Sequence, residues 1–339
     1  MRDQKRVIGY DYLRVIAIFM VVVIHGNVAF IAGNNESSNI IAMWIDAFCL
    51  VSVPCFLMIS GALLLESESS FPLKNMRKRF TKQGIPFLVW SFIYVFFRII
   101  LKKIPLNSFA FTSLLYEPAY YQFWFMYTLL AIYLLLPVLT TLVHHISRRV
   151  YQYVLGVWLL FSVLQPMLEH FFPSFRLSSH VDLVMCEGYL GYFLLGYYLK
   201  KYGSEITKRN AIRLFVCGCA ITGILVWSEY AFSGINFQGY FYKNYLTPGV
   251  VLASIGAFAF FQNRTFRHGY LITCLSNISI GVFYIHMLVM TAFEYAGFSG
   301  ANSLFICEVK CAAVYGISVV VSFCISKIPG VRKILLGIN

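Results

Sequence analysis

The 339-residue chain is 59% hydrophobic and only 12% charged, with a mean hydropathy of +0.73, which excludes a soluble globular core and points to a polytopic membrane protein. A net charge of +13 would suit nucleic acid, but the basic residues lie in short loops between apolar runs, as membrane topology requires. The nine cysteines all fall within apolar runs, are odd in number and form no C-x-x-C pair, so they read as small buried hydrophobes, with no disulfide framework or metal site implied.

The apolar runs fall at about 8–31, 41–65, 85–101, 122–143, 151–168, 183–199, 212–233, 245–262, 271–293 and 305–326. They predict an all-α protein of about ten transmembrane helices in a single membrane-embedded domain over 1–339. The basic flank before the first run resembles a signal peptide. That run is too long for a signal core and no A-x-A site follows, so it reads as a retained first span. With the N-terminus inside, all but six of the 27 Lys/Arg (Arg98, Lys102, Lys103, Arg176, Lys243 and Lys310) face the cytosol, which predicts both termini cytosolic. Of the 14 acids, only Asp3, Asp11, Glu66, Glu68 and Glu205 are on that side. No repeat or low-complexity segment is visible.

The first run carries Asp11, Arg14 and His25, and an ionisable side chain in hydrocarbon costs roughly 2.5–3.5 kcal/mol on insertion scales. Arg14 and His25 are eleven residues apart, which is three turns to within ~20°, so one helix face joins them across roughly 16 Å. The plainer reading is a snorkelling Arg and a His satisfied by a neighbouring helix. The inner loop Glu66–Gly84 places acids before Lys74, Arg77, Lys78, Arg79 and Lys82. That run either marks topology and attracts lipid headgroups, or offers Arg and Lys donors to a phosphorylated cytosolic ligand. Of the seven histidines only His25 and His286 lie within spans, each about 24 Å from its inner end. Asp46 and Glu187 enter from the outer side, while Arg98 is expected to snorkel outward with Lys102 and Lys103. A His near carboxylates at that depth suits either a catalytic base or a proton relay in a pump.

Several stretches taken together resemble the bacterial membrane-bound acyltransferases of family three. YDYLRVIAIFMVVVIHGN is similar to the family's first-span signature, an Arg or Lys and a His with ten residues between them, here Arg14 and His25. VPCFLMISGALLL (Val53–Leu65) resembles its Phe-rich Ser-Gly motif, with Ser60 and Gly61, and the run with Arg79, Lys82 and Pro86 its inner loop. FWFMYTLLAIYLLLPVL (Phe123–Leu139) and SNISIGVFYIHMLV (Ser276–Val289) resemble its Trp-Phe span and its penultimate span. One departure is Gln122, where members often carry a His; Gln bonds hydrogen but does not titrate near neutrality.

The resemblance implies transfer of an acyl group, usually acetyl, from cytosolic acyl-CoA to a hydroxyl of a cell-surface or envelope carbohydrate across the cell membrane. No nucleic acid and no metal take part, and acetyl-CoA is the donor. Within that scheme His25 is a base or transient acyl carrier, and Arg14, Arg79 and Lys82 favour the CoA phosphates. His286, Asp46 and Glu187 are acceptor-side groups. The competing class is a transporter of an amino acid or small solute, with His25 and His286 in a proton path. A catalytically silent membrane subunit is a third reading.

Overall fold

Within a bilayer each backbone N–H and C=O must be satisfied by the protein, and long apolar runs do this as helices. The computed structural model describes residues 6–33, 38–66, 73–101, 117–172, 174, 188–233, 241, 244–298 and 303–338. Among these the chain is helical and contains no strand. The helices are α1 (Ile8–Gly33), α2 (Ser38–Cys49), α3 (Ser52–Leu64), α4 (Leu73–Ile100) and α5 (Trp124–His145). They continue with α6 (Arg148–Trp158), α7 (Gln165–Phe171), α8 (Leu190–Tyr202), α9 (Lys208–Ser233) and α10 (Pro248–Gln262). The last are α11 (Tyr270–Tyr295), α12 (Leu304–Ser326) and the short α13 (Val331–Leu336). A tight turn at Tyr121–Phe123 leads into α5, and a π-helical stretch at Leu159–Leu164 joins α6 to α7.

Eight helical stretches among the described residues are long and apolar enough to cross a membrane, and the expected tenfold count is met only in part. Of the two remaining runs, α10 has 15 residues, and the described part of the other, α8, has 13. At 1.5 Å per residue these reach only about 20 Å, against a hydrocarbon core of about 30 Å. Interior position explains the shortness. Residues Gly191–Tyr197 of α8 are all buried, as is most of α10. Their ends meet protein groups: the Gln262 amide donates to the Leu199 carbonyl at 2.9 Å and the Asn263 amide to that of Gly203 at 2.8 Å.

Close backbone approach makes that interior possible. A Cβ at Gly61 would collide with the Phe193 carbonyl, and one at Gly196 with the Met58 carbonyl, so α3 and α8 pack with their backbones in contact at both points. Around them, α1 is the central helix and packs against α2, α3, α10, α11 and α12. Large apolar side chains such as Phe96, Leu134, Ile224, Phe305 and Val320 point outward from α4, α5, α9 and α12. In water such a surface would be an aggregation hazard; facing lipid it is the expected exterior of a multi-pass membrane protein.

One end of the bundle gathers the cations. Arg6 reaches Asn277 at 3.1 Å, Lys200 donates to the Ala62 carbonyl at 3.2 Å, and Lys82 lies against Gly337. This is the basic end. At the other, Arg98 does not simply extend to solvent as expected. Its guanidinium donates to the Ala119 carbonyl at 3.0 Å, because that carbonyl precedes the turn into α5 and needs a donor. Lys102 and Lys103 lie outside the described residues.

Candidate functional site

The sequence spacing of Arg14 and His25 becomes a cavity. About 490 Å³ of space lies between α1, α3, α4, α5, α11 and α13, and both side chains are in its wall. At the basic end the wall holds Arg14, Arg79 and Lys82, with Leu336 and Ile338 beside them. Ser60, Phe56, Tyr133 and Ile280 line the passage, and His25, Gln122, Trp124, Phe125 and Tyr245 line its far end. The volume is that of a small-molecule site, mostly apolar with a few convergent polar groups.

Arg14 is steered by Asp11, which is 1% exposed. The Asp11 carboxylate accepts two hydrogen bonds from Arg6 (2.6 and 2.9 Å) and one from Ser276 Oγ (2.7 Å). Arg14 Nη1 stays 3.8 Å away, within ion-pair range and beyond hydrogen-bond length. Asp11 thus fixes α1 to α11 and leaves the Arg14 guanidinium directed at the cavity. With Arg79 and Lys82 it makes a three-cation mouth suited to an anionic ligand group.

At the far end, the His25 Nδ1 and the Tyr121 hydroxyl are 3.2 Å apart, and the same hydroxyl is 3.4 Å from Met287 Sδ. The imidazole of His286 stacks on that of His25, with centroids 5.3 Å apart and planes 27° from parallel. His286 is fully buried behind His25 and outside the cavity wall, and its Nδ1 donates to the Val282 carbonyl at 3.0 Å. The two histidines expected at similar depth therefore meet, one facing the cavity and one supporting it.

The other expected acceptor-side groups do not join them. Asp46 is 1% exposed and accepts from Asn27 Nδ2 at 3.0 Å, in a polar contact between α1 and α2 outside the cavity wall. Glu187 lies outside the described residues. Among the described residues no group of three His, Cys, Asp or Glu side chains is placed to hold a metal ion.

Three parts of the site were not assigned from sequence. Asp11 carried a signal, its spacing of three from Arg14 on a helix. Tyr121 had none, because it precedes its span and its contact with His25 is 96 positions away. The segment with Leu336 and Ile338 lies beyond the last apolar run and carried no signal; Trp90 Nε1 donates to the Leu335 carbonyl at 2.8 Å and pins it across α4.

Compared with known proteins, the chain matches the family model for the acyltransferase domain of acyltransferase family 3 over residues 7–327. No curated protein and no solved structure matches it.

Proposed function

Because this chain belongs to acyltransferase family 3 and is a membrane acyltransferase, we propose that it moves an acyl group, acetyl in the simplest case, from acyl-CoA on the cytosolic side to a hydroxyl of an envelope carbohydrate outside. The observation that carries this reading is the single cavity with Arg14, Arg79 and Lys82 at one end and His25 at the other. Arginine and lysine donors match phosphate oxygens. The pantetheine arm of CoA has the reach of four to five extended residues, about 16 Å. Arg14 and His25 are separated by roughly the same distance along α1. Phosphates held at the basic mouth would therefore leave a thioester beside His25.

The basic end faces the cytosol in this reading, as the Lys/Arg distribution favours. Chemistry at the far end follows from residue type. A hydroxyl is a poor nucleophile until its proton is taken, and His25 is the base in the wall at that point. The acceptor oxygen attacks the thioester carbon, His25 takes its proton, and CoA leaves as the thiol. Tyr121 orients the imidazole and His286 backs it. Proton-coupled solute transport has less support, because family membership assigns acyl transfer.

The test is reconstitution of the purified protein in liposomes with acetyl-CoA inside and envelope glycan outside. Free CoA should appear inside and acetyl ester on the glycan outside, read by a thiol reagent and by mass spectrometry. Solute uptake with no CoA released under any acceptor would overturn the reading.

A further inference from the structure

Three buried side chains near the far end of the cavity hold polar atoms short of hydrogen-bond partners: His286 at Nε2, Tyr284 at its hydroxyl, and Gln122 at its amide. A group left unmet in this way costs about 1–3 kcal/mol, so each calls for an explanation. His286 gives its Nδ1 hydrogen to Val282, so in the neutral ring Nε2 holds a lone pair and has nothing to donate. Tyr284 stacks on Trp90 at 5.6 Å and is not in the cavity wall.

Gln122 differs from both. It lies in the cavity wall, is 1% exposed, and carries two N–H donors. The Tyr94 hydroxyl beside it gives its own hydrogen to the Tyr284 carbonyl at 2.7 Å, so its oxygen can accept one Gln122 N–H and the second N–H is left over. Gln122 is also held in place. It is the middle residue of the Tyr121–Phe123 turn, whose Tyr121 touches His25 and whose Phe123 is fully buried against Phe87 and Tyr94. A rigid, dry donor with an N–H to spare, one residue from the contact to the base, is an arrangement suited to charge that appears only during reaction.

We propose that Gln122 is a catalytic residue whose amide N–H donates to the acyl carbonyl oxygen as that oxygen becomes an oxyanion. The inference needs acyl transfer, which family membership supplies, and takes His25 as the base from the reading above. The acceptor oxygen bonds to the acyl carbon, its proton passes to His25, and the carbonyl π pair moves onto the oxygen facing Gln122. Re-formation of the C=O expels the donor's leaving group, which takes the proton from His25. Gln122 stays neutral throughout, so its inability to titrate is no handicap. The step asks only for an N–H, which a glutamine and a histidine both present.

The test compares wild type with Gln122→Met and Gln122→His in liposomes. Two acyl donors are used, acetyl-CoA and p-nitrophenyl acetate, so that loss of the CoA assignment is read separately from the role of Gln122. Met keeps the side-chain length and removes the donor. Gln122→Met should lower kcat by about 10²–10³-fold, the effect of deleting one oxyanion donor, with KM changed less than about twofold. Its melting temperature should change little, because the one bond lost to Tyr94 is offset by removal of the amide's unpaired atoms. A merely structural glutamine would lower it. Gln122→His should keep most of the rate. Near wild-type kcat in Gln122→Met with either donor, or a loss confined to KM, would overturn the proposal.

Discussion

Replacing His25 by alanine tests whether the far end of the cavity is where chemistry happens. The proposed reaction loses its base, and general-base help contributes typically 10²–10⁴-fold, about 2.7–5.4 kcal/mol of barrier. Binding should be nearly unchanged, because the three cations lie at the other end of the cavity, roughly 16 Å along α1. The structure adds a complication. His286 stacks directly behind His25, so truncating His25 exposes a second imidazole with a free Nε2 to the cavity. The single variant should therefore retain part of the rate, and His25→Ala combined with His286→Leu should fall further. Single-turnover release of CoA under saturating acetyl-CoA isolates the chemical step from donor binding. Added imidazole, small enough for the space vacated, should partly restore His25→Ala. Folded His25→Ala protein that transfers acyl groups at near wild-type rate would refute the assignment. So would an equal loss in donor affinity, which would make His25 a binding group.

Replacing Arg79 or Lys82 by alanine should raise the KM for acetyl-CoA by about tenfold each, the loss of a charge-assisted bond of ~1.5 kcal/mol, while acceptor KM stays constant in initial-rate measurements. A chain ended after Pro329 lacks Leu336 and Ile338 from the mouth and should show the same donor-side signature in those assays, with kcat at saturation largely kept. Gly61→Val forces a side chain into the Phe193 carbonyl and should destabilise the α3–α8 contact by ~3 kcal/mol, read as a lowered melting temperature in detergent. Single cysteines placed in the Glu66–Gly84 loop should resist impermeant maleimide in intact cells and react after lysis; labelling from outside would reverse the orientation and remove the cytosolic donor with it.

How much of this was legible in advance follows from the range over which sequence pattern operates. Arg14 and His25 were placed on one face by helix periodicity alone, and the cavity joins them, because a spacing within one helix is fixed by 1.5 Å and 100° per residue. The basic residues Arg79 and Lys82 reached the same cavity because they lie in the second and third turns of α4. Pairings between helices were another matter. His25 and His286 were matched in depth, yet that His286 would stand behind His25 depends on how α1 and α11 rotate against each other. Asp46 was matched in depth too, and its carboxylate went to Asn27. The run around α10 met the hydrophobicity of a span, but hydrophobicity does not distinguish a helix facing lipid from one sheltered among others. Gln122 read as a departure from a pattern, and only its burial in the cavity wall with an N–H to spare gave it a possible use.

The pinning of Leu335 by Trp90 has a consequence for how the protein is made. That hydrogen bond spans 245 positions, and the cavity it helps close takes walls from α1, α3, α4 and α5 on one side and α11 and α13 on the other. Helices enter a bilayer in order of synthesis, so the first group waits for the second. During that interval His25 and Gln122 form part of a polar wall with no opposite side, in a solvent that penalises each of them. Nascent chains of this protein thus pass through a stage marked by polar groups exposed within the membrane. Variants that slow the docking of α11 should therefore be lost from the membrane before their catalysis can be measured.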